Sequence, residues 1–310
     1  MGDGTVRAVT QRLSAAIQEV VVAREQTFQL LMAAWLASGH VLLEDVPGVG
    51  KTLLAKTLAR CLDATFHRIQ FTPDLLPSDI TGASIFDQRR NDLSFAPGPV
   101  FANVVLADEI NRATPRTQSA LLEAMGEGQV TVDGITHPLP EPFLVIATLN
   151  PVESYGTFPL PESQLDRFLL SLSIGYPDRA QALAILDRGE HDQPAAGPVL
   201  SAGDVLRAQE SVRAVGVARA VKEYIVDLIS QTRDHPEALL GVSPRGAVAL
   251  QRASQAIAAM AGRPYVLPDD VKLIAPAALA HRILTRSGQP AAARELVHEI
   301  LQRVRVPVEL

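Results

Sequence analysis

The feature that most constrains this chain is a glycine turn between an apolar strand and a helix. Residues 42–52 read LLEDVPGVGKT, and apolar residues recur at helical spacing over residues 53–62. Backbone N–H groups of such a turn, with the start of the helix, point at an anion. Lys51 can reach the outer phosphates of a nucleotide, and the Thr52 hydroxyl can bind Mg²⁺. The pattern predicts a phosphate-binding loop, although Asp45 stands where that pattern has its first glycine.

Apolar runs alternate with helical patterns over the first part of the chain. The runs lie near residues 40–44, 66–71, 103–107, 143–149 and 168–174. Such alternation is typical of βαβ units. It therefore predicts an α/β fold in which helices cover a parallel sheet.

Two interruptions and a change of pattern divide the chain further. Short alternating runs predict hairpins over residues 84–95 and 129–137. After a stretch that contains proline and glycine, the remaining sequence reads as helical. We predict a first domain at residues 1–190, which includes two N-terminal helices, a linker at residues 191–199, and a smaller all-helical domain at residues 200–310.

Charge and cysteine content limit the partners and the compartment. The formal net charge is −6, which disfavours nucleic acid as the main partner. The single cysteine, Cys61, rules out a disulfide framework and is typical of a reducing cytosol. The most apolar window, residues 28–43, is too short to span a bilayer, and no cationic segment followed by an apolar stretch opens the chain. We expect a cytoplasmic protein without an integral membrane segment.

Acidic and amide side chains follow the neighbouring apolar strands. In a phosphate-loop protein, an acid at the end of such a strand positions Mg²⁺, directly or through water, and this role suits Asp108. The next residue, Glu109, is the predicted general base that activates water. Asn150 ends a later strand and could hold the attacking water, or act as a turn-former before proline. Gln70 could reach Glu109 and restrain it until substrate arrives.

Together these features predict a site for ATP and Mg²⁺. The predicted metal ligands are Thr52 and Asp108. The residues predicted to contact the nucleotide or its metal are Asp45, Val46, Pro47, Gly48, Val49, Gly50, Lys51, Thr52, Leu53 and Asp108.

Two arginines lie at junctions where a guanidinium could serve phosphate chemistry. Arg167 stands between a helix and a strand, an exposed place from which a side chain can serve a neighbouring subunit. Arg245 follows Ser243-Pro244 at the start of a helix in the second domain. Guanidinium groups are planar, always charged and multidentate, so they suit phosphoryl transition states. Taken singly, each arginine fits a surface ion pair; as a set with the loop and the acidic pair, they predict catalytic roles.

An ordered series of motifs carries a resemblance to a known family. The motifs are EDVPGVGKT at residues 44–52, RIQFTPDLLPSD at 68–79, ADEINRA at 107–113, TQSALLEAM at 117–125 and LPESQLDRF at 160–168. This set strongly resembles the MoxR family of AAA+ ATPases, in its helix-2-insert branch. The resemblance implies a P-loop AAA+ αβα sandwich with a parallel sheet, followed by a smaller all-helical lid domain.

The resemblance also implies functional roles and partners. The family's functional residues fall on Lys51 and Thr52 for Walker A, Asp108 and Glu109 for Walker B, Asn150 for the first sensor, Arg167 for the arginine finger, and Arg245 for the second sensor. The finger acts on ATP held by the adjacent subunit of a homo-oligomeric ring, usually a hexamer. Hydrolysis in such rings drives chaperone-like remodelling, maturation or activation of a partner protein, often one with a von Willebrand factor A domain.

Two other functions compete with this interpretation. One is the ATPase motor subunit of a metal-chelatase-like complex, whose ATPase module shares the two hairpin insertions. The run at residues 160–168 favours the MoxR family over it. The other is a nucleic-acid-associated AAA+ motor, which the acidic balance and the absence of a recognisable DNA-binding element disfavour.

Overall fold

The structure is a computed structural model that describes residues 3–22, 24–45, 48–87, 91–149, 156–188 and 197–307, without the side chains of residues 3–5, 87, 187 and 188. Three of the predicted site residues, Val46, Pro47 and Asn150, lie outside the described residues.

The central element is a five-stranded sheet whose strands are all parallel. In chain order, the strands of this part are β1 (Val41–Glu44), β2 (Phe66–Gln70), β3 (Gly82–Asp87), β4 (Asp92–Pro97), β5 (Val104–Asp108), β6 (Gln129–Val132), β7 (Ile135–Pro138), β8 (Leu144–Leu149) and β9 (Leu170–Leu172). The sheet order is β2-β5-β8-β1-β9, while β3 with β4 and β6 with β7 form antiparallel hairpins. The predicted parallel sheet and both predicted hairpins are confirmed.

Helices surround this sheet and make up most of the C-terminal part. They are α1 (Asp3–Val20), α2 (Glu25–Leu36), α3 (Lys51–Cys61), α4 (Pro77–Thr81), α5 (Pro115–Glu127), α6 (Glu162–Leu165), α7 (Arg179–Arg188), α8 (Ala202–Arg213), α9 (Arg219–Asp234), α10 (Pro244–Met260), α11 (Pro268–Leu279) and α12 (Pro290–Arg303). Short 3₁₀ turns follow β5 and α11, at Ile110–Arg112 and Ala280–Arg282. The fold is therefore an αβα sandwich followed by a helical lid.

The lid contains one element that the sequence did not predict. Strands β10 (Ala238–Leu240) and β11 (Leu284–Thr285) pair in an antiparallel ribbon between α9 and α12. Segments of three and two residues are too short for a period-2 pattern to separate them from loop. The lid is thus helical with a small ribbon, where the sequence indicated helices alone.

The N-terminal helices join the sandwich to the lid. Helix α1 packs against α3 of the sandwich and against α8 and α10 of the lid, and α2 also contacts α10. Buried side chains of these helices, such as Leu13, Ile17, Leu31 and Trp35, belong to one apolar cluster that continues into the lid. Both helices, which the sequence places in the first domain, therefore also contact the lid.

The sheet has two distinct edges because all of its strands run the same way. Strand β1 leads into the glycine turn, β5 ends at Asp108 and β8 ends at Leu149, so all three ends lie at the carboxyl edge. Residues His40 and Leu169 precede β1 and β9, and they lie at the amino edge. In open α/β sheets, ligands bind outside the carboxyl ends of the strands.

Candidate active site

The turn between β1 and α3 has the geometry of an anion cradle. Gly48 and Gly50 adopt positive φ angles of 85° and 90°, which favour residues without a Cβ. Among the described residues, and apart from its chain neighbours, a Cβ built on either glycine would meet no atom within 4 Å, so the space in front of the turn is open. In the part of the chain that the structure describes, no side chain caps the start of α3 at Gly50, so its first N–H groups remain available to a ligand. The turn therefore suits a phosphate group.

The predicted phosphate-binding lysine lies inside this turn. The Lys51 side chain is buried, and its Nζ donates a hydrogen bond of 2.9 Å to the backbone oxygen of Asp45. Thr52 follows in the first turn of α3 and is half-buried. Val49 and Leu53 pack their side chains against the main apolar cluster, so they can contact a ligand through the backbone.

The Asp45 carboxylate has a structural task that the sequence did not reveal. It accepts hydrogen bonds from Ser173 Oγ at 2.8 Å, from the Ile174 backbone N at 2.6 Å and from the Gly175 backbone N at 3.1 Å. The residue is only 5% exposed. Its side chain therefore ties the loop to the segment after β9, and only its backbone remains available to a nucleotide.

Asp108 stands at the carboxyl end of β5, within reach of two neighbouring strands. Its Oδ1 accepts a hydrogen bond from Thr148 Oγ1 at 2.7 Å. Its Oδ2 forms an ion pair with Arg68 of β2, with an Nη2–Oδ2 distance of 2.6 Å. Thr148 is fully buried. A polar residue within an apolar strand needs a hydrogen-bond partner, and this sequence signal could have identified Thr148 as part of the site.

Glu109 is held in an unusual backbone conformation at the entrance to the site. Its φ angle of 57° is left-handed, which is uncommon for a residue other than glycine and often marks functional sites. Its backbone N donates to Thr148 Oγ1 at 2.8 Å. Its Oε2 accepts from Gln70 Nε2 at 2.8 Å and pairs with Arg112 at 3.2 Å. The expected contact with Gln70 is therefore present.

The oxygen donors at this edge suit a hard cation. Thr52 offers a hydroxyl, Asp108 offers a carboxylate, and both are half-buried. Mg²⁺ prefers oxygen ligands and usually keeps several of its waters, so one or two protein ligands are sufficient. Both carboxylate oxygens of Asp108 already accept hydrogen bonds, one from Arg68 and one from Thr148. The carboxylate is therefore better placed to bind the metal through water than directly.

The two predicted arginines lie elsewhere in the fold. Arg167 precedes β9, and its Nη1 donates to the Leu122 backbone oxygen of α5. Arg245 lies in the first turn of α10 and is exposed. Both line a cavity of about 400 Å³ that also reaches His40, and none of its lining residues belongs to the glycine turn or to the Asp108-Glu109 pair. The structure thus brings the two arginines together, but not with the phosphate loop of the same chain.

A buried ion pair, which the sequence did not predict, lies beside these arginines. Asp166 Oδ1 accepts from Arg282 Nε at 2.7 Å, and the Arg282 side chain is only 3% exposed. Burial lowers the pKa of the Arg282 guanidinium, and the hydrogen bond to Asp166 opposes that shift. No local pattern could reveal a contact between residues so far apart in the chain.

His40 is a buried neutral side chain at the amino edge. Its ring nitrogens meet the Met125 backbone oxygen at 3.1 Å and the Val145 backbone N at 3.0 Å. Burial lowers the pKa of His40 from 6.5 to about 4, although the contact with Met125 opposes the shift. Next to Arg282, burial and the arginine charge likewise hold the pKa of His281 well below its usual value.

Comparisons with known proteins agree with this geometry. Residues 40–170 match the ATPase family associated with various cellular activities (AAA), and residues 230–304 match the AAA lid domain. The chain is 42% identical to the Chaperone MoxR1 of Mycobacterium tuberculosis, over 96% of this chain and 82% of that protein. It is 34% identical to the Protein MoxR of Paracoccus denitrificans, over 93% and 92% of the two chains. It is 50% identical to the protein YeaC of Bacillus subtilis, over 94% and 93%.

A solved structure extends the similarity to three dimensions. The crystal structure of a "putative ATPase" from Cytophaga hutchinsonii superposes with a TM-score of 0.89 at 39% identity, covering 97% of this chain and 96% of that one. A phosphate loop on a parallel sheet, followed by a lid, defines the AAA+ class of ATPases. Within that class, the chain belongs to the MoxR family. Among the helices that the structure describes, none combines the length and apolar character needed to cross a bilayer.

Proposed function

We propose that this chain is a magnesium-dependent enzyme of the cytoplasm that hydrolyses ATP to ADP and phosphate, and that it uses the energy to remodel partner proteins. The observation that carries the catalytic part is the arrangement at the carboxyl edge of the sheet. There, the open glycine turn with Lys51 stands beside the Asp108-Glu109 pair, whose carboxylates are held by Thr148 and Gln70. A phosphate cradle next to a positioned carboxylate suits phosphoryl transfer to water.

Each residue at this edge has a defined part in the proposed reaction. Bound ATP and its Mg²⁺ supply the phosphoryl group and neutralise its charge. Lys51 turns from the Asp45 backbone oxygen to the outer phosphates. Thr52 and Asp108 would hold the metal, the latter through water. Glu109 leaves Gln70 and accepts a proton from the attacking water, which the amide of Asn150 orients.

The test separates catalysis from binding. Glu109→Gln keeps the shape of the side chain but removes the base, so turnover should fall by roughly 10²–10⁴-fold while ATP affinity is kept. Lys51→Ala should weaken ATP binding itself, because it removes a charge that faces the phosphates. Steady-state hydrolysis and equilibrium binding of a fluorescent nucleotide measure the two effects. Glu123→Gln, on the exposed face of α5, is the matched control. A Glu109→Gln protein that turns over at the parent rate would remove Glu109 from the mechanism.

The two arginines support a homo-oligomeric ring, for which six subunits is the expected number. Arg167 lies at the edge of the sheet opposite to the phosphate loop, so its guanidinium needs a second copy to meet a phosphate. An arginine that reaches across a subunit boundary is a common device for completing an ATPase site.

The proposal of a protein client rests on the first hairpin and on the relatives. Phe86 and Leu93 pair across the hairpin, their side chains are 58% and 64% exposed, and exposed apolar patches often mark interaction sites. One relative is named as a chaperone. A Phe86→Ser, Leu93→Ser protein should keep basal ATPase activity and lose capture of a partner protein that carries a von Willebrand factor A domain. Leu239→Ser, equally exposed on the lid, is the control, and unchanged capture by the hairpin variant would argue against this surface.

A further inference from the structure

Five groups at the carboxyl edge form a closed circuit of hydrogen bonds. Arg68 donates to Asp108 Oδ2 from its Nε at 3.1 Å and from its Nη2 at 2.6 Å. The other oxygen of Asp108 accepts from Thr148 Oγ1, which itself accepts from the Glu109 backbone N. Gln70 closes the circuit, because its Nε2 donates to Glu109 Oε2 and its Oε1 accepts from Arg68 Nη2 at 2.8 Å. The two acids are thus linked twice, once through Thr148 and once through Arg68 with Gln70.

The register of β2 brings Arg68 and Gln70 to this circuit. The two residues are one position apart on the strand, so their side chains lie on the same face of the sheet. Gln70 stands opposite Asp108 in the pairing with β5. Because β2 is the edge strand of the sheet, both side chains remain exposed. The guanidinium of Arg68 can therefore leave Asp108 without disturbing a packed core.

Arg68 determines which end of the Gln70 amide faces Glu109. A guanidinium only donates hydrogen bonds, and an ionised carboxylate only accepts them. With Arg68 on its oxygen, the Gln70 amide presents its NH₂ group to Glu109. Without Arg68, this orientation of the amide loses one of its two contacts. The restraint on Glu109 therefore depends on Arg68 as well as on Gln70.

The guanidinium also covers one side of the carboxylate that would position the metal. Two nitrogens of Arg68 meet the same oxygen of Asp108, Oδ2. A divalent cation that uses this oxygen, directly or through its waters, needs the position that Arg68 now holds, and like charges repel at such short distances. The Arg68 side chain is 47% exposed, so solvent and ions can reach the pair. Arg68 and Mg²⁺ should therefore compete for Asp108.

We propose that Arg68 is a positioning residue that makes the release of Glu109 depend on an occupied metal site. In the nucleotide-free protein, Arg68 neutralises Asp108 and keeps the Gln70 amide on Glu109. When Arg68 gives way to Mg²⁺, its Nη2 also leaves Gln70, and the amide that restrains Glu109 loses its second contact. The base is then freed only where a metal and its phosphates are present. The inference rests on the proposed function and adds the residue that couples the metal to the base.

The first test measures nucleotide affinity without turnover. A fluorescent, non-hydrolysable ATP analogue is titrated into the protein in Mg²⁺ and in EDTA, and the ratio of the two affinities gives the gain from the metal. In Arg68→Ala the metal no longer displaces a cation, so this ratio should rise roughly two- to fivefold. Arg68→Gln keeps much of the side-chain length but not its charge and should show the same rise. Arg68→Lys keeps the charge and should stay close to the parent.

A matched control is available on the lid. Arg207 pairs with Asp204 at the same distance of 2.6 Å, in an exposed position, so Arg207→Ala should leave the ratio at the parent value. Thermal melting followed by circular dichroism verifies that each variant is folded. If Arg68→Ala and Arg68→Gln are folded and both keep the parent ratio, Arg68 does not compete with the metal and the proposal is overturned.

The second test asks whether Arg68 acts on Glu109 through Gln70. Gln70→Leu should also raise the ratio, because Arg68 leaves Asp108 more readily once Gln70 Oε1 no longer holds it. In Arg68→Ala there is no guanidinium left to release, so adding Gln70→Leu should change the ratio no further. Additive increases would mean that Gln70 acts independently of Arg68, and the coupling between metal and base would be wrong.

Asp108→Asn separates this inference from the proposed function on which it rests. If Asp108 positions the metal, this variant should lose most of the gain from Mg²⁺. If it keeps the full gain, the metal site of the proposed function is wrong, and the inference fails with it. If Asp108→Asn loses the gain while Arg68→Ala keeps the parent ratio, the proposed function stands and only the inference is overturned.

Discussion

Single residues at the carboxyl edge of the sheet have backbone strain and side-chain contacts that no sequence pattern predicts. Glu109 was recognisable as an acid after a strand, yet its left-handed φ of 57° was not. That conformation turns its backbone N toward Thr148, while its carboxylate meets Gln70. A strained residue held by several partners is typical of a catalytic position. Asp45 is a second example. It departs from the loop pattern, and the structure shows that its carboxylate anchors the loop to the segment after β9.

The Asp45 carboxylate should contribute to the stability of the fold. Asp45→Ala would leave the Ile174 and Gly175 backbone N–H groups and the Ser173 hydroxyl without their acceptor. Leaving buried donors unsatisfied costs about 1–3 kcal/mol, so the free energy of unfolding should fall by that amount. Asp45→Asn keeps one carbonyl oxygen and should lose less. Urea denaturation followed by circular dichroism measures both, with exposed Asp269→Ala as the control. Equal stability of the parent and Asp45→Ala would show that the anchor is unimportant.

At the scale of elements, strand order explains how the site is assembled. Residues of β2, β5 and β8 meet at one edge because β5 lies between the other two strands. The register pairs Gln70 with Asp108, which brings the Gln70 side chain to Glu109. The sequence predicted the strands and the acids at their ends, since apolar runs and polar ends are local signals. It did not predict the strand order or Thr148, because pairing depends on residues distant in the chain.

The ion pair between Asp166, which lies between α6 and β9, and Arg282, in the 3₁₀ turn after α11, should stabilise the contact between sandwich and lid. Arg282→Met would leave the Asp166 carboxylate partly buried without its charge partner, which costs about 3–5 kcal/mol when a buried pair is broken. Adding Asp166→Asn should restore part of the loss, because the unpaired charge is then gone. Chemical denaturation of the two single variants and the double variant measures the coupling. Additive effects in this cycle would mean that the pair does not join lid and sandwich.

At the scale of the whole molecule, the sequence predicted two parts, and the structure shows how they are joined. Helices α1 and α2 come first in the chain, yet their buried faces pack on α8 and α10. Their apolar spacing indicated amphipathic helices, but spacing does not identify the surface that a helix will cover. The same limit applies to β10 and β11, which are too short to carry a pattern. Motifs supplied the candidate site residues, whereas contacts across the two parts could not be read locally.

Stability of the whole fold should depend on pH through its buried histidines. His40 stays neutral in the folded chain, with its pKa lowered to about 4, while its unfolded value is 6.5. Between these values the unfolded state binds more protons, so the stabilisation is complete above pH 6.5 and is lost as pH falls toward 4. The effect amounts to roughly 3 kcal/mol from His40, at 1.36 kcal/mol per pKa unit. His281 acts in the same direction.

Denaturation at pH 7.5, 5.5 and 4.5 measures this dependence. The side-chain amide of a His40→Asn variant can still form hydrogen bonds, but it does not titrate. The variant should therefore be less stable than the parent at pH 7.5, and its free energy of unfolding should fall less on acidification. If the free energy of unfolding of parent and variant falls by the same amount between pH 7.5 and pH 4.5, His40 does not contribute to the pH dependence.

We propose that a second copy of the chain completes the ATPase site. The most direct test is the rate of ATP hydrolysis per subunit as a function of protein concentration, measured alongside the assembly state by sedimentation velocity. The rate should rise steeply over the concentration range in which rings form, and Arg167→Ala should assemble and bind ATP while remaining slow at every concentration, by roughly 10³-fold or more. A parent protein that hydrolyses ATP at full rate while it sediments as a monomer would contradict the account.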